Sequence, residues 1–544
     1  MAPSIVTTGS TWVEPAGPVV PKTIVCSAIE NQCAQVYPAV AWFIANKKGT
    51  KDPLTHYDQL KRGLARVAYQ QPILGGTLRQ DDRGAYSVEI PPAPRAGIRF
   101  HYRDLRSDMS FPTFKELEVR KFPHIDAKQD GLFALLPGLE DDFPSSSDGD
   151  PTCLAQFMAI RGGMIIIMAW THQVGDLVQP RVSAVEWAAH TTALAEAENA
   201  GLPEPPLPAV FADELYDRSR LLPHIPHLLS FEEVNEICDR RGDVFVFDPT
   251  DPEKTARLMS TVFPTAWLSE KEMNNEDHLR TELGAMILFP LKDLQKLQAI
   301  AQASASGKLS VVNVIIAFLW QRMYIARNAL EGTLAADAEI IKQRCTEPAI
   351  IFPGDIRTRM DPPLPQGFLG AAVDIFKAAV PSVGLIPENG SEAAMSRSLA
   401  AAATAVRDSN KAWDQEAHKE LLQLFQSAPV SVPFLPKGPI DFLVTDHTRN
   451  SAFVTCAWGP GLGQAVDIRE PYFKRDMPQG EITIMPRKPN GDIDVMLCAE
   501  RVTMQRLFND PLIKQFAQPL FMAHNVPEAV AADKAAEFTP SARL

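Results

Sequence analysis

The sequence predicts a mixed α/β (α+β) fold in two domains, each a mixed sheet with helices, and three observations predict it. The chain has 544 residues, too many for one ordinary hydrophobic core. A strongly apolar pair of strands followed by a long helix occupies part of its first half, while helices and short strands fill the second. Between them lie "GLPEPPLPAVF" (201–211) and "LLPHIPHLLS" (221–230), proline-rich segments suited to an interdomain crossover. The expected division is 1–230 and 231–544.

In the first part, "LAQFMAIRGGMIIIMAWTH" reads as two strands joined at Gly162-Gly163, a dipeptide that accepts the positive φ of a tight hairpin. The second strand is apolar on both faces, which places it centrally in a sheet. "VSAVEWAAHTTALAEAENAG" then carries helix formers and a glycine stop, so the order is strand, short polar turn, helix. In the second part, "SVVNVIIAFLWQRMYIARNAL" (310–330) predicts a buried helix, and 391–413 an alanine-rich one with Ser391 as N-cap. Strands are expected at "DFLVTDH", "SAFVTCAW", "EITIMPR" and "DIDVMLCAE".

Composition narrows the function. With 45% hydrophobic and 22% charged residues, and apolar runs shorter than the roughly 20 residues a bilayer demands, no membrane span is expected. The N-terminus lacks a basic stretch followed by an apolar one, so secretion is not expected. Seven scattered cysteines without metal spacing suit reduced, buried thiols in the cytoplasm. A net charge of −13 argues against an extended phosphate backbone as partner, though a local basic patch can still bind a small anion. Asn389-Gly390-Ser391 is read as a loop, and the two histidines of "HIPH" (His224, His227) as a solvated one rather than a metal site.

Nucleophile elbows, phosphate-binding glycine loops and zinc-protease helices are all absent, and "GPGLGQ" (459–464) lacks dinucleotide-binding spacing. What remains is "WTHQVGDLVQ" (170–179), with His172 and Asp176 four apart where a strand ends. Histidine is the side chain best suited to take a proton near neutrality. Alone, HxxxD is a common pattern, and a polar strand terminus is the competing reading.

Segments elsewhere reinforce it. "LKRGLARVAYQQPILGGTL" (60–78), "LYDRSRLL" (215–222), "NVIIAFLWQRMYIAR" (313–327), "DIRTRMDPPLPQGFLG" (355–370), "AWGPGLGQAVDIREP" (457–471) and "EITIMPRKPNGDIDVMLCAERVTMQRL" (481–507) follow in order. Together with HxxxD they resemble the BAHD acyltransferases, especially fungal members of the trichothecene 3-O-acetyltransferase type. The resemblance implies two chloramphenicol-acetyltransferase-like domains with a channel between them, and a monomer. It implies acyl-CoA as co-substrate, with no bound cofactor or metal. The acceptor would be a terpenoid, polyketide or alkaloid alcohol or amine. His172 would be the general base, and Asp176 a structural residue turned toward an arginine, Arg357 or Arg359.

The chain departs from the family pattern at Leu177 (for glycine), Asn313 (for aspartate), Ala371 (for asparagine) and in the "DFG"-like motif, here Ala457, Trp458 and Gly459. Two structural carboxylates are therefore missing, and compensation for any buried arginine is expected. The departures leave a second reading open, in which the fold serves a cyclisation, isomerisation or elimination. A silent binding protein is a third, disfavoured by retention of His172 and Asp176. The C-terminal Ala542-Arg543-Leu544 resembles a peroxisomal address. Removing these three residues from a fluorescent fusion is expected to disperse a punctate peroxisomal signal into the cytoplasm, as seen by microscopy.

Overall fold

The computed structural model describes residues 7–33, 36–47, 52–82, 84–123, 149–225, 227–241, 243–246, 282–328, 347–427, 434–436, 440–470 and 480–524. The Ala542-Arg543-Leu544 tripeptide lies outside them. The first large sheet begins with β1 (Thr7–Val13), β2 (Ala39–Ala45), β3 (Ile98–Asp104), β4 (Cys153–Ile160) and β5 (Gly163–Trp170). A second sheet draws on β6 (Glu282–Phe289), β7 (Ala349–Asp355), β8 (Val373–Ala379), β9 (Phe442–Asp446), β11 (Glu481–Ile484), β12 (Ile493–Glu500) and β13 (Gln518–His524). The intervening β10 (Asp467–Arg469) returns to the first sheet and pairs antiparallel with β2. Strand order is β1-β3-β4-β5-β2-β10 in the first sheet and β8-β7-β9-β11-β12-β6-β13 in the second.

The hairpin forms where the sequence places it. Cys153 faces Trp170 and Ile160 faces Gly163 across β4 and β5, and Gly162 takes a φ of +84° in the turn. All eight residues of β5 are buried between β4 and β2, which explains their apolarity on both faces. One face of this sheet packs Ile166, Met168 and Trp170 with Leu60 and Leu64 of helix α1 (Pro53–Gln70) and Trp187 of helix α2 (Val178–Ala200). The other packs Ile165 and Ile167 with Phe114, Leu117 and Phe122. Helix α2 stops at Gly201 in the left-handed region, φ +64°.

The second core gathers α3 (Val311–Asn328) and α4 (Glu392–Lys411) over Ile482, Val495 and Leu497 of the second sheet. Ser391 caps α4, its hydroxyl accepting from Ala394 N at 3.2 Å. No helix of the described residues is long and apolar enough to cross a membrane.

One expected strand is not formed. "SAFVTCAW" makes a helical turn, Ala452–Thr455, and only Ala457 enters an isolated bridge, to Gln464. Its β-propensity yields to packing: the turn buries Phe453, whose carbonyl accepts from the Trp42 indole at 2.8 Å.

His101 on β3 lies beside Gln156 of β4 and is 4% exposed. Burial, aided by Arg99, lowers its pKa to about 4. The unfolded chain therefore binds a proton below about pH 6.5 that folded His101 refuses until about pH 4. Stability from this group is present above pH 6.5 and is lost as pH falls through that window, at up to ~1.4 kcal/mol per pH unit. Urea melts at pH 7 and pH 5 are expected to show the loss, and His101→Gln to reduce it.

Candidate active site

The polar turn after β5 is a single 3-10 turn, His172–Val174, with α2 starting at Val178. Its backbone is tied on every side. Thr171 N donates to Thr152 O (3.0 Å), His172 N to Val36 O (3.1 Å) and Gly175 N to His172 O (3.4 Å). Gln173 is fully buried; its amide accepts from Thr171 Oγ1 at 2.6 Å and donates to Cys33 O at 3.0 Å. His172 is half-buried, held by a turn whose other members are almost wholly enclosed.

Asp176 turns into the protein. Its carboxylate receives both Arg357 Nη atoms, at 2.8 and 2.9 Å, together with Ala372 N at 3.1 Å and Val178 N at 3.1 Å. Arg357 also donates to the carbonyls of Phe368 (3.0 Å) and Gly370 (2.6 Å) and reaches Asp355 at 3.3 Å. Burial opposes the charge on Arg357, but the Asp176 and Asp355 carboxylates together outweigh it and raise the pKa. Gly175 is needed where the two halves meet, since a Cβ there would stand 2.4 Å from Leu369 O.

Of the two arginines considered as partner for Asp176, Arg359 is excluded. It donates to Asn410 through the backbone carbonyl and, at 2.9 Å, through Oδ1, and lies 4.9 Å over the Phe376 ring. Arg359 N closes a turn on Ile356 O at 2.9 Å, so the chain reverses between the two arginines and sends them to different neighbours.

The departures from the family pattern have local explanations. Leu177 packs at the edge of the first core as the N-cap residue of α2, and Asp176 just before it accepts from Val178 N. Ala371 needs no side chain, as its N–H donates to Glu30 Oε1 at 2.9 Å. Asn313 keeps a capping role, accepting from Ser310 N (3.1 Å) and Ser310 Oγ (2.6 Å). Ala457, Trp458 and Gly459 brace α2. Ala457 O accepts from Thr192 Oγ1 at 2.8 Å, and the buried Trp458 ring meets Trp42 and Trp187 edge-on at 5.3 and 5.1 Å. Gly459 supplies a φ of +101°. Arg469 just beyond is bracketed by Asp467 (2.7 Å) and Asp494 (3.1 Å).

Three residues that sequence reasoning did not assign also belong to the site. Glu30, fully buried, binds Arg218 through both carboxylate oxygens at 3.1 and 3.2 Å. The Phe368 ring lies 5.9 Å from the Arg218 guanidinium and 5.7 Å from that of Arg357. A Ser27-x-x-Glu30 capping box was the available signal for Glu30, and it reported only a helix start.

A second polar feature sits at the N-terminus of α3. A cavity of about 430 Å³ is lined by Lys308, Ser310, Asn313, Arg407 and Lys411, among others. Asp408 pairs with Arg407 (2.7 Å) and Lys411 (3.6 Å), so the lining keeps a net positive charge.

Residues 37–183 match the trichothecene 3-O-acetyltransferase-like N-terminal domain. The acyltransferase easC of Emericella nidulans is 25% identical over 512 residues, covering 92% of this chain and 96% of that protein. The acyltransferase M4 of a Phoma species is 22% identical over 516 residues, with the same coverage of each chain. Among solved structures, F. graminearum TRI101 complexed with ethyl coenzyme A superposes with a TM-score of 0.64 at 15% identity, over 92% of this chain and 100% of that one. Vinorine synthase superposes at 0.56 and 15% identity, over 94% and 98%. With HxxxD at the end of a buried central strand, residues 37–183 are similar to the trichothecene 3-O-acetyltransferase-like N-terminal domain, and the chain shares the fold of TRI101 and vinorine synthase over nearly its whole length.

Proposed function

We propose that the chain transfers an acyl group from acyl-CoA to a hydroxyl or amine of a specialised metabolite, with His172 as general base. The carrying observation is the turn geometry: a half-buried imidazole on a rigid strand end, beside an aspartate wholly engaged elsewhere. Asp176 gives both oxygens to Arg357 and to backbone amides, so it supports the turn and leaves proton transfer to His172.

In this reading, neutral His172 takes the proton of the acceptor O–H or N–H as that atom attacks the thioester carbonyl. A C–O or C–N bond forms, and the oxyanion of the tetrahedral intermediate collapses with cleavage of the C–S bond. The imidazolium then protonates the departing thiolate, leaving free CoA and the acylated product. No acyl-enzyme is required, because both substrates meet at one base.

The cationic cavity at α3 favours transfer over the alternative of a repurposed fold. A thioester carrying several phosphates needs local positive charge, and Lys308, Arg407 and Lys411 outnumber Asp408 there. A cyclisation, isomerisation or elimination needs no such charge. TRI101 structures contain CoA together with T-2 or deoxynivalenol, which supports a small-molecule acceptor beside CoA here.

Calorimetry is expected to show saturable binding of CoA, weakened by Lys308→Glu, and His172→Ala is expected to cut CoA release by about 10³-fold with little change in melting temperature. Absence of CoA binding across several thioesters would overturn the transfer reading.

A further inference from the structure

The HxxxD turn is clamped by two arginines, and only one of them belongs to the motif logic. Arg357 holds its far end through Asp176. Arg218, 3% exposed, holds its middle: Nη2 donates to Val174 O at 3.0 Å while also binding Glu30 Oε1 at 3.1 Å. Nε reaches Glu30 Oε2 at 3.2 Å, and Nη1 reaches Tyr216 O at 2.7 Å. Glu30 is fixed in turn by Ser27 N (2.7 Å) and by Ala371 N (2.9 Å). One guanidinium therefore joins the catalytic turn, the crossover at Tyr216 and the helical turn that bears Glu30, while Glu30 extends the link to the 371 segment.

We infer that Arg218, oriented by Glu30 and seated against Phe368, is a positioning residue for His172. The inference rests on the reading of His172 as general base. Val174 is the last residue of the 3-10 turn that His172 opens, and its carbonyl is buried. With Arg218 withdrawn that carbonyl loses its donor, and the turn is free to rotate to recover one. A small rotation at Val174 moves the imidazole two residues away, and general-base transfer is sensitive to displacements well below 1 Å. Lysine cannot replace the fork: its compact ammonium cannot span Glu30, Val174 O and Tyr216 O together.

The test is Arg218→Lys, which keeps a positive charge opposite Glu30, compared with Arg322→Lys. Arg322 is another buried arginine, 7% exposed, whose partners Asp510 (3.3 Å) and Gln321 (3.1 Å) lie off the turn. In Arg218→Lys, kcat is expected to fall on the order of 10²-fold while KM for both substrates stays within about twofold. The ¹⁵N-histidine resonance of His172, assigned by its loss in His172→Asn, is expected to shift and broaden. Arg322→Lys is expected to lose comparable thermal stability and to change neither readout. A moved resonance in a protein whose wild type transfers no acyl group would support the clamp and reject the transfer reading. Wild-type kcat and an unchanged resonance in a thermally weakened Arg218→Lys would overturn the inference.

Discussion

The Asp176–Arg357 pair is the contact on which the rest of the site depends. It joins a turn of the first sheet to the 355–372 loop of the second, 181 residues apart in sequence, with both partners under 10% exposed. Burying two charges is costly, and the Coulomb attraction offsets that cost only when geometry is good and the remaining donors and lone pairs are satisfied. Here the fork is bidentate, and the surplus donors and oxygens go to Phe368 O, Gly370 O, Ala372 N and Val178 N. Few other docking geometries of the two halves would satisfy all of these at once. The pair therefore fixes register as well as holding the halves together.

The Phe368 ring extends the same constraint. It sits between two guanidinium groups, one bound to Asp176 and the other to Glu30, so the two ion pairs share an apolar wall. Gly370 lets the segment pass close to that ring, because a Cβ there would lie 2.6 Å from it. The result is a rigid frame beneath a turn that carries the half-buried His172. Preorganisation of this kind holds a side chain in place without further ordering.

Much of this was legible in the sequence. The hairpin, the central position of β5, α2 with its glycine stop, α3, and α4 with its Ser391 cap follow from local rules that tertiary contacts did not override. "SAFVTCAW" was misjudged because its apolar residues bury through a helical turn against Trp42, a partner more than 400 residues away in sequence. Arg357 and Arg359 could not be separated from sequence, since a turn at Ile356 removes the alternation that would have sorted them. Glu30 and Arg218 were invisible as a pair: they lie 188 residues apart, and each looked like an ordinary local feature.

The central claim is that a buried cross-half ion pair, rather than the aspartate alone, holds the HxxxD turn. A double-mutant cycle with Asp176→Asn, Arg357→Met and the combined variant, read by urea unfolding, tests it most directly. The account predicts that each single change is costly because it strands the other partner, and that the double variant recovers about 2–3 kcal/mol relative to their sum. Strictly additive losses would contradict it, and would reduce Asp176 to a helix cap and Arg357 to a brace for its own loop.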